Sequence, residues 1–231
     1  MSDARVPYPP VEPPPSDWAL GQLRPTDDED LVAAGADLAP GTLLAAYRAG
    51  LFPMGLGEDG ARPLGWWSPE PRGVLAPGAF RERRSLTKSR AHFEIHVDTA
   101  FAQVMERCAD PDRHGRWITD EIRAAYGELH RLGWAHSVEA WRDGSLVGGL
   151  YGVAVGGLFA GESMFHSERD ASKVALAALV DLFHADGDPR RLIDVQWATE
   201  HLERLGVAQW PRERYLSALG EALEAPHVRF G

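Results

Sequence analysis

The stretch from His136 to His166 constrains the fold most. Three strand-like runs, about His136–Arg142, Ser145–Ala154 and Leu158–His166, have Asp143-Gly144 and Gly156-Gly157 between them. Two-residue linkers of this kind suit the tight turns of β-hairpins. Strands joined that way lie antiparallel, so these residues form one meander. Such a sheet must bury its apolar faces against other elements, and the flanking sequence supplies helices. Upstream, Phe93–Asp98 alternates as a strand and Thr99–Ala109 reads helical. Thr119 is placed to cap a helix running to Leu132, with Gly133 as its stop. Downstream, the helix predicted over Ala171–Ala185 carries Leu176, Leu179, Val180 and Phe183 at i, i+3, i+4, i+7 spacing. A strand-like LIDVQ follows at 192–196, then a short helix ending near Gly206. A last helix begins around Pro211 and ends before Pro226.

From residue 93 to the short helix near Gly206 the order is therefore β α α β β β α β α. That is the element order of the GNAT acyltransferase fold, a mixed sheet with helices on both faces. Ahead of it, six prolines between Pro7 and Pro15 make residues 1–16 a flexible or extended lead-in. A short helix is predicted within residues 36–50, with Pro40 near its start and Gly50 closing it. After a Gly- and Pro-rich loop, Pro69 and Pro71 force an extended path. The expected class is α+β. A small N-terminal domain over 17–70 precedes a GNAT-like domain over 71–231.

Composition narrows the chemistry. With 231 residues and 44% hydrophobic content the chain can bury a real core. Cys108 is the only cysteine, so no disulfide forms within the chain. Nine histidines without CxxC or HExxH spacing predict no metal site. No signal pattern and no apolar run of about 18 residues is present, so a cytoplasmic protein without a membrane span is expected. A net charge of −10 argues against a chain that coats nucleic acid nonspecifically. Residues 81–90, RERRSLTKSR, run against that balance: Arg81, Arg83, Arg84, Lys88 and Arg90 face only Glu82. They form either a solvated surface segment or a local phosphate-binding strip.

Two strands carry polar residues where apolar ones are expected. In LIDVQ, alternation puts Asp194 and Gln196 on one face, and a carboxylate beside an amide is costly to bury without partners. In GESMF, Glu162 interrupts an apolar strand and projects to the same face as Met164. A structural ion pair is the plain reading of Glu162, and a strand-end carboxylate bonded to backbone is that of Asp194. The junction before the Ala171 helix reads HSERDASK and holds no glycine. A GNAT enzyme grips the pyrophosphate of CoA with a Gly-containing turn there, so CoA is disfavoured as the donor.

The stretches GADLAPGTLLAAYRAGLFPMG, GWWSPEPRGVL, RWIT, HSVEAW, VGGLYGVAVGGLFAGESMF, ASKVAL, LIDVQ and HLERLG run in order from residue 35 to 206. In these the chain resembles bacterial leucyl/phenylalanyl-tRNA–protein transferases. The resemblance implies transfer of Leu, also Phe and less often Met, from aminoacyl-tRNA to proteins that begin with Arg or Lys. The product carries a signal for the N-degron pathway. Separately from the resemblance, a monomer is expected. The tRNA ester is already activated, so neither ATP nor a cofactor is needed. By the same resemblance Asp194, Gln196 and Glu162 lie at the reaction centre. Asp194 takes a proton from the acceptor amine or anchors its basic residue. Leu150, Phe159, Met164, Leu179 and Ile193 shape a slot for the transferred side chain, although each taken alone reads as core. Trp117 stacks on the terminal adenosine of the tRNA, and a second aromatic is expected after Phe52-Pro53. This chain has Met54 there. The basic strip meets phosphates of the acceptor stem, and Trp66 and Trp67 are read as domain packing. The rivals are a CoA-dependent N-acyltransferase, opposed by the missing Gly turn, and a noncatalytic tRNA- or peptide-binding module. The joint presence of Glu162, Asp194 and Gln196 opposes the second.

Overall fold

A computed structural model describes residues 6–23, 25, 29–110 and 116–231. The predicted meander is present as β6 (Ala135–Arg142), β7 (Ser145–Val155) and β8 (Leu158–His166). Asp143 and Gly144 both take positive φ (49° and 71°), which the twist of a two-residue hairpin demands. The meander sits in a seven-stranded sheet with β4 (Arg72–Leu75), β5 (Glu94–Val97), β9 (Leu192–Gln196) and β10 (Ala208–Trp210). The order is β10-β4-β9-β8-β7-β6-β5. Every neighbouring pair is antiparallel except β8 and β9.

That exception opens the site. β8 and β9 pair only at Leu158–Leu192, Phe159–Ile193 and Ala160–Asp194. Beyond those three residues the strands part, and the sheet splits into a wedge.

Helices cover both faces. Leu150 and Val138 pack with Val174, Leu176 and Leu179 of α5 (Ala171–Phe183). Tyr151 and Val153, one residue out of phase, join the core of α3 (Phe101–Cys108) and α4 (Asp120–Arg131). Strand alternation thus sends neighbouring residues of β7 to opposite layers. Thr119 caps α4 as expected, its hydroxyl accepting from the Ile122 N–H at 3.2 Å. The mixed sheet flanked by helices on both faces, expected from element order, is the one observed.

The N-terminal part forms its own three-stranded sheet of β1 (Leu31–Ala34), β3 (Leu64–Trp67) and β2 (Phe52–Gly55), in that order. Helix α1 (Pro40–Arg48) packs beside it, and Leu43, Tyr47 and Trp66 share one core with Val74, Phe101 and Tyr126. The change from one sheet to the other falls between Trp67 and Arg72. The Pro-rich lead-in differs from a free tail. Residues 6–16 form no helix or strand but are tied down: Val11 N–H donates to Leu132 O at 2.8 Å, Trp134 Nε1 donates to Val11 O at 2.8 Å, and Arg48 pairs with Glu12. Residues 1–5 lie outside the described residues.

Several short elements escape sequence reading for a physical reason. β10 has three residues at a sheet edge with no buried member, so no alternation marks it. The helix inside the basic strip, α2 (Arg84–Arg90), buries only Leu86, too little for an apolar stripe. A last helix, α7 (Arg212–Leu223), closes the fold.

Candidate active site

A cavity of about 550 Å³ occupies the wedge between β8 and β9, within the range of small-ligand sites. Glu162 enters it through a defect in the β7–β8 ladder. Tyr151 pairs with Ser163 and Gly152 with Gly161, so Glu162 has no partner opposite. Freed from the ladder, its carboxylate accepts from Tyr47 Oη at 2.7 Å and Tyr126 Oη at 3.2 Å, and the two phenols bond each other. These tyrosines come from α1 and α4, so the site draws on both parts of the chain. Burial pushes the Glu162 carboxyl up to about 8, helped by the nearby charge of Asp194 and opposed by the tyrosine hydroxyls and Arg72. Glu162 is the only acid lining the cavity among the described residues.

The Asp194–Gln196 pair departs from simple alternation. Ile193 and Val195 line the cavity, whereas Asp194 does not. Asp194 is fully buried, and all its acceptor capacity is taken. Oδ1 accepts from Arg72 Nε (2.8 Å) and the Gln196 N–H (2.9 Å); Oδ2 accepts from Arg72 Nη2 (2.6 Å) and Tyr215 Oη (2.9 Å). Gln196 adopts φ +57°, and the β4–β9 register jumps from Gly73–Gln196 to Val74–Asp194, leaving Val195 unpaired. The bulge swings Gln196 out of phase with Asp194 and into the cavity. The expectation that the two share one face is therefore corrected. An Asp194 charge already met by Arg72 has nothing left to anchor a basic residue. Gln196 is the member that reaches the cleft, and its Nε2 is buried with no hydrogen-bond partner among the described residues. An unmade bond of that kind is costly, so the amide is a donor waiting for an acceptor.

The apolar end of the cavity is lined by Leu150, Phe159, Met164, Leu179 and Ile193, together with Leu176. All five slot residues singled out in the sequence converge here, and all but Met164 are buried. Trp117 and Met54 line the same cavity. Trp117 is held from behind by Gly60 (φ +79°), where a Cβ would lie 2.5 Å from the Trp117 backbone. Trp67 Nε1 donates to the Met54 carbonyl at 3.1 Å, and Trp66 is fully buried with Nε1 on Gly35 O at 3.0 Å. The tryptophan pair thus packs the small sheet and fixes the strand carrying Met54.

The basic strip lies outside this cavity. Arg81, Arg83, Arg84 and Lys88 are exposed, while Arg90 is engaged by Glu82 at 3.3 Å and by Asp181. Arg83 lines a smaller hollow of about 130 Å³ with Lys173, Arg204 and His201, and His201 also lines the main cavity. Among the described residues no cluster of His, Cys, Asp and Glu could hold a metal ion, and no helix is long and apolar enough to cross a membrane. Tyr47, Tyr126, Arg72 and Tyr215 went unmarked in the sequence because each reads as an ordinary core or loop residue. Only the interrupted strands they serve gave a signal.

A wedge between two parallel strands, with an apolar slot, one half-buried acid and a free amide donor, is a site for acyl transfer. Family comparison agrees. The sequence pattern of leucyl/phenylalanyl-tRNA protein transferase matches residues 74–220, and that of its N-terminal domain matches residues 36–70. The leucyl/phenylalanyl-tRNA--protein transferase of Myxococcus xanthus is 48% identical over 88% of this chain and 87% of the relative. That of Aromatoleum aromaticum is 49% identical over 89% and 84% respectively. That of Thiobacillus denitrificans is 46% identical over 93% and 92%. The solved structure of L-PGS from Bacillus licheniformis aligns with 70% of this chain and 54% of that chain at 12% identity and TM-score 0.34, too distant to bear on the site. The chain belongs to the leucyl/phenylalanyl-tRNA protein transferase family and is an aminoacyltransferase.

Proposed function

We propose that this chain takes leucine, also phenylalanine and less readily methionine, from aminoacyl-tRNA and joins it to the α-amino group of proteins that begin with Arg or Lys. It does so as a cytoplasmic monomer, and the product is a substrate of the N-degron pathway. The observation that carries this reading is the convergence of the apolar slot, Glu162 and the partnerless Gln196 amide on one cavity. The slot takes a side chain unbranched at Cβ, and Met164 adapts its shape to leucine or phenylalanine. The Gln196 Nε2 donates to the carbonyl oxygen of the ester, where negative charge grows as the amine attacks. The attacking amine has an ordinary pKa of about 7.7–8.0. Glu162, raised to about 8, accepts the proton the amine loses. The C–N bond forms, the ester C–O bond breaks, and Glu162 passes that proton on to the ribose oxygen as it leaves. Asp194 acts through Gln196, as a positioning residue.

CoA is disfavoured by the missing glycine: the turn before α5 is closed instead by Asp170, in left-handed conformation and bonded to Lys173 (2.8 Å) and Ser89 (3.1 Å). Incubation with radiolabelled leucyl-tRNA and an Arg-starting peptide is expected to place label in the peptide. Equal labelling of peptides beginning with Ala or Glu would overturn the acceptor assignment, and labelling from acetyl-CoA would overturn the donor assignment.

The basic strip has its own expected outcome. Replacing Arg83, Arg84 and Lys88 with alanine weakens binding of leucyl-tRNA and flattens its salt dependence, because fewer counterions are released. Transfer from a minimal aminoacyl-adenosine donor, which has no acceptor stem, stays near wild type. Equal loss with both donors would place the strip in the active site or the fold.

A further inference from the structure

Trp197 directly follows Gln196 and is 40% exposed, although it lines the cavity. A large aromatic ring left half open at a cleft is not explained by packing. Its neighbours give it a place. The ring meets Phe52 edge-on, with centroids 5.2 Å apart and planes at 89°. Phe52 lies two residues before Met54 on β2, so both side chains leave the same side of that strand. Trp197 therefore stands beside the position where an aromatic is missing, and it lines the same cavity as Met54 and Trp117. Its backbone cannot withdraw. Gly73 packs so closely that a Cβ there would lie 2.9 Å from the Trp197 carbonyl carbon and 2.7 Å from the Ala198 nitrogen.

We propose that Trp197 supplies the aromatic surface that Met54 lacks, stacking with Trp117 on the terminal base of the donor. The proposal rests on the reading of Trp117 and Met54 as the donor-base site. In this chain the second stacking ring then comes from the end of β9, where it packs against Phe52 of β2. Base-stacking chemistry asks only for an exposed π face beside a charged-backbone path, and Trp197 offers one. A cationic side chain of the acceptor would also be drawn to this ring, but Thr199, His201 and Leu202, which line the cavity beside it, add no negative charge.

The test measures equilibrium binding of two stable donor analogues: leucyl-adenosine with an amide in place of the ester, and the same leucyl-ribose amide without the base. Trp197→Leu is expected to weaken the base-bearing analogue about fivefold or more and leave the base-free analogue unchanged. Trp197→Phe keeps most of the affinity. Met54→Trp tightens the base-bearing analogue, more in the Trp197→Leu background than in the wild type, because the two rings then substitute for one another. Equal weakening of both analogues by Trp197→Leu would make the ring part of the slot or the fold and overturn the proposal. So would unchanged donor binding with a raised KM for an Arg-starting peptide, which would assign the ring to the acceptor. If Trp117→Ala removes the advantage of the base while Trp197→Leu does not, Trp197 alone is refuted. If neither variant touches that advantage, the donor-base site itself is misplaced.

Discussion

Replacing Asp194 with alanine is expected to destabilise the folded chain by about 3–5 kcal/mol, the cost of leaving a buried charge unpaired. Arg72 is 1% exposed and loses its bidentate partner, keeping the Gly50 carbonyl at 3.0 Å, a long bond to the Tyr215 hydroxyl at 3.4 Å and the Phe52 and Tyr215 rings, none of them charged. In a domain of this size that loss lowers Tm by roughly 6–20 °C. Transfer activity falls too, but the fall is confounded by unfolding. A second variant separates the two. Asp194→Leu combined with Arg72→Leu removes both charges, and apolar replacement of a whole buried pair is commonly neutral or better. The double variant is therefore expected to recover most of the stability and still fail to transfer leucine. Its Gln196 N–H would no longer have the Asp194 oxygen that holds the strand end at positive φ. Urea unfolding and a leucyl-tRNA transfer assay on the same preparations decide it. An Asp194→Ala protein that unfolds like wild type would refute the structural role, and an active double variant would refute the positioning role.

Glu162→Gln is expected to move stability and activity in opposite directions. The folded-state pKa of about 8 lies above the ordinary glutamate value of 4.5. For a carboxyl shifted upward, the folded state binds the proton more tightly than the unfolded chain, so stability falls as pH rises between those two values. Below about pH 4.5 both states are protonated and the penalty is absent; above about pH 8 it is complete. Glutamine keeps an oxygen for Tyr47 and Tyr126 and never ionises. The variant is therefore expected to match wild type near pH 5 and to melt higher near pH 8.5. Water in the open cleft reaches one side of Glu162 and softens the shift, so the gain is largest when a donor analogue fills the cavity. Transfer, by contrast, loses its proton acceptor, an effect of about 10²–10⁴-fold on kcat. The rise of wild-type rate with pH would not identify Glu162, since the acceptor amine titrates over the same range. The paired result does. A variant that is both no more stable at high pH and fully active would remove Glu162 from the chemistry.

The two variants probe residues that differ in how far the sequence alone reveals them. The meander between Ala135 and His166, the Thr119 cap and the stripe on α5 follow from local rules: two-residue turns, a hydroxyl at a helix start, and period 3.6. The slot residues Leu150, Phe159, Met164, Leu179 and Ile193 were placed by family resemblance, since a pocket lining and a core are chemically alike. The interrupted strands LIDVQ and GESMF announced that something polar had to be accommodated, but not how.

The sequence by itself thus determined the meander, the longer helices, their order and the family, because each depends on residues close together in the chain. The tertiary structure decided which polar side chain faces the substrate. Tyr47 reaches Glu162 across 115 positions, and Arg72 reaches Asp194 across 122. Those distant partners select the bulges at Glu162 and Gln196, turning Gln196 into the cavity and sealing Asp194 away from it. A period-2 pattern carries no record of such a bulge, since the defect is stabilised by the groups it meets rather than by the residues that form it.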